Sequence, residues 1–158
     1  DDLARLNLAL VTTQAKRLMI LGDLIHSTKG LTEEVVDEVA KWRANTSFYF
    51  HLVLGNHDRH FNAPVSWRID EESGDTIEDD FVFSHDEVKK TEKFVFSGHL
   101  HPMARLYSKG DSLRLPCFWI QKHRAQLPAF SFFTGGVDVS KKEGDHLLVI
   151  ADGQVIKV

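Results

Sequence analysis

Four segments of this sequence close an apolar run with residue types that bind metals. RLMILGD (17–23) ends on Gly22-Asp23, and FYFHLVLGNHD (48–58) ends on Gly55-Asn56-His57-Asp58. DFVFSH (80–85) ends on His85, and FVFSGHLH (94–101) ends on Gly98-His99-Leu100-His101. Asp offers a hard carboxylate able to bridge two cations, Asn a neutral carbonyl oxygen, and His an imidazole. Such a mixed oxygen and nitrogen set suits Mn, Fe, Zn or Co better than Ca or Mg, which favour all-oxygen sites. Cys117 is the sole cysteine, which argues against a thiolate-based structural zinc site and rules out an intrachain disulfide. Two metals roughly 3.5–4 Å apart would clamp a phosphoryl group and activate water against it.

The elements that must position these residues alternate in the first third of the chain. Leu3, Leu6, Leu10 and Val11 recur at helical spacing over 1–16. RLMILG (17–22) reads as a buried strand and DLIHSTKG (23–30) as a polar loop. Thr32, followed by Glu33 and Glu34, predicts a helix start that runs to about Asn45. FYFHLVLG (48–55) reads as the next strand. Strands alternating with helices imply a parallel sheet covered by helices, whose carboxyl edge is where ligands bind. The later chain turns strand-rich. Strands are expected in VSWRI (65–69), IEDDFVFSH (77–85), FVFS (94–97), ARLYS (104–108), SLRLPCFWIQ (112–121), AFSFFTGG (129–136) and HLLVIADGQVIKV (146–158). The last holds Asp152-Gly153, a two-residue hairpin signal.

Composition narrows the class. The chain has 158 residues, 42% hydrophobic and 27% charged, with a net charge of −4. This is the balance of one globular domain, expected to span 1–158. The acidic balance argues against gripping nucleic acid by charge alone. No apolar run reaches the length of a membrane helix, the start is not that of a signal peptide, and a lone cysteine suits a reducing cytoplasm. Nine histidines are the unusual count.

GDLIH (22–26), GNHD (55–58), the strand-end His85 and GHLH (98–101) together resemble the calcineurin-like metallophosphoesterase superfamily. LPAF (127–130) and TGG (134–136) are similar to a narrower group, the bacterial ligase-associated metallophosphoesterases that accompany DNA-repair genes. The resemblance implies a four-layer α/β/β/α sandwich and two divalent transition metals, Mn first, with Fe, Zn, Co or Ni as alternatives. It implies that Asp23 bridges the metals, that Asn56, His85 and His99 complete one site, and that His101 serves the other. His57 would face the phosphate as general acid or as charge stabiliser, with Asp58 orienting it. His26 would lie behind the ligands. Apart from the resemblance, Arg59 beside GNHD is expected to meet phosphate, because guanidinium pairs bidentately with phosphate. The implied reaction is attack of a metal-activated hydroxide on a phosphodiester, with nucleic acid as the candidate substrate and DNA-repair proteins as candidate partners. A phosphomonoesterase, a nucleotide pyrophosphatase and a non-catalytic metal-binding scaffold are the alternatives. The superfamily's first motif, Asp-x-His after a first strand, is absent from residues 1–22, so the expectation is a domain whose first strand precedes Asp1.

Several residues carry plainer expectations. His51 reads as a sheet histidine, and His60, His123 and His146 as surface or loop residues. Cys117 in LPCFWI is expected in the core. Phe130, Phe132 and Phe133 are expected to pack in a core or sheet, with base stacking as the functional alternative. Lys89, Lys90 and Lys93 read as a solvated loop, and Lys141 and Lys142 likewise. Arg124 is a second phosphate candidate.

Overall fold

The computed structural model describes residues 2–60 and 62–158, which form two compact units, 1–76 and 77–158. The fold is mixed α/β, as the alternation of apolar runs implies.

The first unit holds α1 (Asp2–Thr12), β1 (Arg17–Leu21), α2 (Glu33–Ala44), β2 (Tyr49–Val53) and β3 (Ile69–Glu72). Asp1, where the expected first helix begins, lies outside the described residues. The strands form a parallel sheet in the order β1-β2-β3. Thr32 caps α2 as expected, its hydroxyl accepting from the Val35 amide at 3.3 Å. Near the other end of that helix, Arg43 is buried and donates to the carbonyls of Trp67, Phe48 and Arg68 and to the Thr46 hydroxyl. Its guanidinium also lies 3.8 Å from the centre of the Phe50 ring. Burial, and then the neighbouring Arg68, pull its pKa down to about 10.

This same knot corrects the expected strand at 65–69. Val65–Trp67 forms a 3-10 turn, and only Ile69 onwards joins the sheet. Trp67 is buried with its indole N–H on the Val36 carbonyl of α2 (3.1 Å), and Arg68 is left-handed at φ 49°. A side chain anchored to a helix and a reversed backbone prevent extended pairing there.

The second unit is all β among its described residues. Its strands are β4 (Thr76–Glu78), β5 (Phe81–Ser84), β6 (Phe94–Ser97), β7 (Pro102–Ser108), β8 (Asp111–Gln121), β9 (Arg124–Gln126), β10 (Val137–Val139), β11 (His146–Ala151) and β12 (Gln154–Lys157). The sheet order is β10-β7-β8-β9-β6-β5-β4, with β11 paired to β8 and β12 to β11. Ala104, Cys117, Leu147 and Val149 form its core, with Leu115, Trp119 and Val139 packed against them. Cys117 is fully buried, and burial pushes its thiol up to about 11. Asp152 and Gly153 both take positive φ, giving the type I′ hairpin that the sequence signals.

The expected strand over 129–136 is absent. Residues 127–136 form a loop, and Phe130, Phe132 and Phe133 are exposed rather than packed, the last two at 81% and 98%. Apolar content suggested a strand, but sheet membership needs a neighbour to pair with. Backbone pairing resumes only at β10, which joins β7.

Candidate metal centre

The register of the parallel strands decides which donors meet. In the first unit, Leu21 on β1 lies opposite Val53 on β2. Both strands therefore leave the sheet at the same edge, one into Gly22-Asp23 and the other into Gly55-Asn56-His57-Asp58. The two turns are bonded to each other. The Asp58 carboxylate accepts the amides of Asp23 (2.7 Å) and Gly55 (2.9 Å) on one oxygen and that of Ile25 (3.4 Å) on the other. The Asp23 carboxylate in turn accepts the His57 amide at 3.0 Å. The rings of His26 and His57 lie 4.3 Å apart, centre to centre.

Asp58 is fully buried, whereas His57, Asn56 and Arg59 are exposed. The bonds of Asp58 run to main chain, so it is a positioning residue that fixes the loop carrying Asp23 and the turn carrying His57. Gly22 and Asp23 both sit at positive φ, 78° and 52°. For Gly this is free. For Asp it is a conformation held by its surroundings, and such residues gather at functional sites.

The second unit repeats the device. Ser84 on β5 lies opposite Ser97 on β6, so His85 and Gly98-His99 emerge side by side, with the Gly98 amide on the His85 carbonyl at 3.2 Å. His85 is buried and His99 exposed. His85 Nε2 and His99 Nδ1 approach to 2.9 Å, and the rings meet edge to face. Asp86 Oδ1 lies 3.8 Å from the same His99 nitrogen. His99 and His101 have positive φ, 20° and 48°. His101 Nδ1 meets the Gly135 carbonyl at 3.2 Å. A carbonyl only accepts, so this bond places the proton on Nδ1 and makes Nε2 the acceptor nitrogen of the ring.

The chemistry of these donors fits a divalent transition metal. At 2.9 Å apart, the His85 and His99 nitrogens are close enough for both to reach one ion at about 2.0–2.1 Å. In the first unit, Asp23 and Asn56, both oxygen-bearing, follow strands that leave the sheet at one edge.

The remaining histidines take the plain roles expected of them. His51 lies in β2 with Nε2 3.0 Å from the Thr76 hydroxyl, and His60, His123 and His146 are exposed. Arg124 pairs with Glu87. What the sequence reading missed is the reason for Gly135-Gly136. Gly135 supplies the carbonyl for His101, and the Val137 amide reaches the carbonyls of Leu100 (3.3 Å) and His101 (3.2 Å). Gly136 packs so closely on His101 that no β-carbon fits. A doubled glycine between an aromatic loop and a strand is the signal that could have revealed it.

No protein-family model and no curated protein matches the chain. Among solved structures, the crystal structure of Pseudomonas putida nuclease MPE superposes with a TM-score of 0.87 at 30% identity. The match covers 99% of this chain and 78% of that one.

Proposed function

The chain belongs to the family of the Pseudomonas putida nuclease MPE, and from that premise we propose that it is a metal-dependent phosphodiesterase of the calcineurin-like metallophosphoesterase superfamily acting on nucleic acid. The observation that carries the reading is the 2.9 Å approach of His85 Nε2 to His99 Nδ1 beyond two paired strands. As the superfamily resemblance implies, Asp23 and Asn56 would hold one metal together with these two histidines, and Asp23 with His101 would hold a second. Bound metals of this kind supply Lewis acidity to the phosphoryl oxygens and lower the pKa of water.

The chain's own residues do the rest. Asp58 holds the Asp23 loop and the Gly55–Asp58 turn in one geometry by taking their amides. The exposed His57 ring, backed by His26, donates a proton to the departing oxygen. Exposed Arg59, next along the same turn, suits a phosphate oxygen because guanidinium pairs with phosphate in a bidentate way. Among the described residues no helix is long and apolar enough to cross a membrane.

The test is elemental analysis after Mn loading, combined with a substrate panel of an oligonucleotide, a phosphomonoester and a nucleotide pyrophosphate. Metal bound by the wild-type chain and lost in His85→Ala, with preferential cleavage of the oligonucleotide, is expected. Metal binding without hydrolysis of any of the three would replace the enzyme by a scaffold. Preference for the monoester or pyrophosphate would retain the metal centre and change the substrate class.

A further inference from the structure

The 127–136 loop and the neighbouring β7–β8 ribbon carry a second feature that the metal centre does not use. Phe132 and Phe133 are 81% and 98% exposed. Two large rings this exposed are adjacent in one loop. The loop is tied down behind them. The Gly135 carbonyl meets His101 Nδ1 at 3.2 Å, and the Arg114 guanidinium donates to the Gly136 carbonyl. Three residues span at most about 10 Å, so the Phe133 backbone stays within that distance of Gly136, whose carbonyl Arg114 holds.

The ribbon supplies charge of the complementary kind. Arg105 on β7 lies opposite Arg114 on β8, and Tyr107 lies opposite Ser112. Residues two apart on a strand share a face, so Arg105, Arg114 and the exposed Tyr107 lie on one side of the ribbon. Both guanidinium groups pair with the single carboxylate of Asp138, and all three side chains are partly exposed. Two cations on one anion leave an excess positive charge in a chain that is negative overall.

We propose that Phe132 and Phe133 stack the bases of a nucleic-acid strand while Arg105 and Arg114 hold its phosphates, making this face the strand-binding platform beside His101. Exposed rings next to basic side chains are what a sequence-tolerant strand groove requires, since every base offers a π-face and every phosphate an anion. Arginine suits the second task because its planar fork matches phosphate. The proposal rests on the reading of the chain as acting on nucleic acid, and it adds which residues grip the strand.

The experiment measures binding without turnover. The full chain in EDTA is titrated into a fluorescein-labelled oligothymidylate and followed by anisotropy over a salt series. Replacing Phe132 and Phe133 together by Ala is expected to raise Kd at least about tenfold, the scale of stacking on aromatic side chains. Arg105→Gln is expected to reduce the slope of log Kd against log salt by about 0.7, one phosphate contact on a single strand. Phe81→Ala, an aromatic substitution on β5, leaves Kd as it was. Both loop rings lie at the surface, so the double variant keeps its fold, which circular dichroism verifies. No binding by the wild-type chain, or an unchanged Kd in the double variant, overturns the proposal. Cleavage by the Mn-loaded wild type is scored separately. Absent cleavage with a Phe-dependent Kd removes the proposed reaction and keeps the platform, and cleavage with a Phe-independent Kd does the reverse.

Discussion

A β-carbon on Gly136 would overlap the carbonyl oxygen of His101 and lie 2.8 Å from Cγ of Met103. The glycine is thus the contact that lets the β10 entry close on the turn carrying a proposed ligand. Gly136→Ala forces that turn to move. Overpacking of this kind costs about 1–3 kcal/mol, and thermal unfolding is expected to shift down by roughly 2–4 °C for each kcal/mol at this chain length. Calorimetry measures the shift. A variant with unchanged Tm and unchanged metal content would show that the turn yields freely.

Asp58 binds three backbone amides from a fully buried position. In Asp58→Asn the side-chain nitrogen faces one of those donors, so bonds are lost and a buried group is left unsatisfied. A cost of about 1–3 kcal/mol in urea unfolding is expected. Turnover should fall as well, because Asp23 and His57 sit on the two loops it fixes. Stability intact with turnover reduced would make the carboxylate charge itself part of the chemistry.

His57→Ala should separate chemistry from metal binding. The ring is exposed, so its loss costs little stability, and the Asp23 carboxylate still receives the backbone amide of residue 57. A fall in turnover of about 10²- to 10⁴-fold, the range for a general acid, with metal content retained, is the expected pairing. Wild-type rates in the variant would remove His57 from the reaction.

Hydrogen bonds from Arg114 and then Arg105 hold the Asp138 carboxyl below the usual carboxylate range. A carboxyl lowered in the folded state contributes stability above its unfolded pKa, about 3.9. That contribution fades as pH falls through the lower folded value. Asp138→Asn should therefore be less stable than the wild type at pH 7, with the gap narrowing below pH about 4. Urea midpoints across that range test this, and a gap independent of pH would assign the effect to packing.

Much of this was readable in advance because strand ends have a simple grammar. Apolar runs closing on Gly-Asp, Gly-Asn-His-Asp and Gly-His-Leu-His marked where strands end beside candidate donors, and Thr32 and Asp152-Gly153 marked a helix start and a hairpin. Two segments misled for the same reason. VSWRI and AFSFFTGG are apolar enough for strands, but pairing depends on partners distant in sequence. Trp67 finds α2 instead of a neighbouring strand, and Phe130, Phe132 and Phe133 stay exposed in a loop. The role of Asp58 was hidden for a related reason. Its partners include Asp23 and Ile25, far back in the chain, and only the β1–β2 register brings them within reach.

The alignment of Ser84 with Ser97 has an evolutionary consequence. Because His85 and His99 are placed by strand pairing, residues within 87–92 can be inserted, deleted or exchanged without altering the spacing of the two imidazoles. A lineage can thus remodel that connection while inheriting the same pair of histidines.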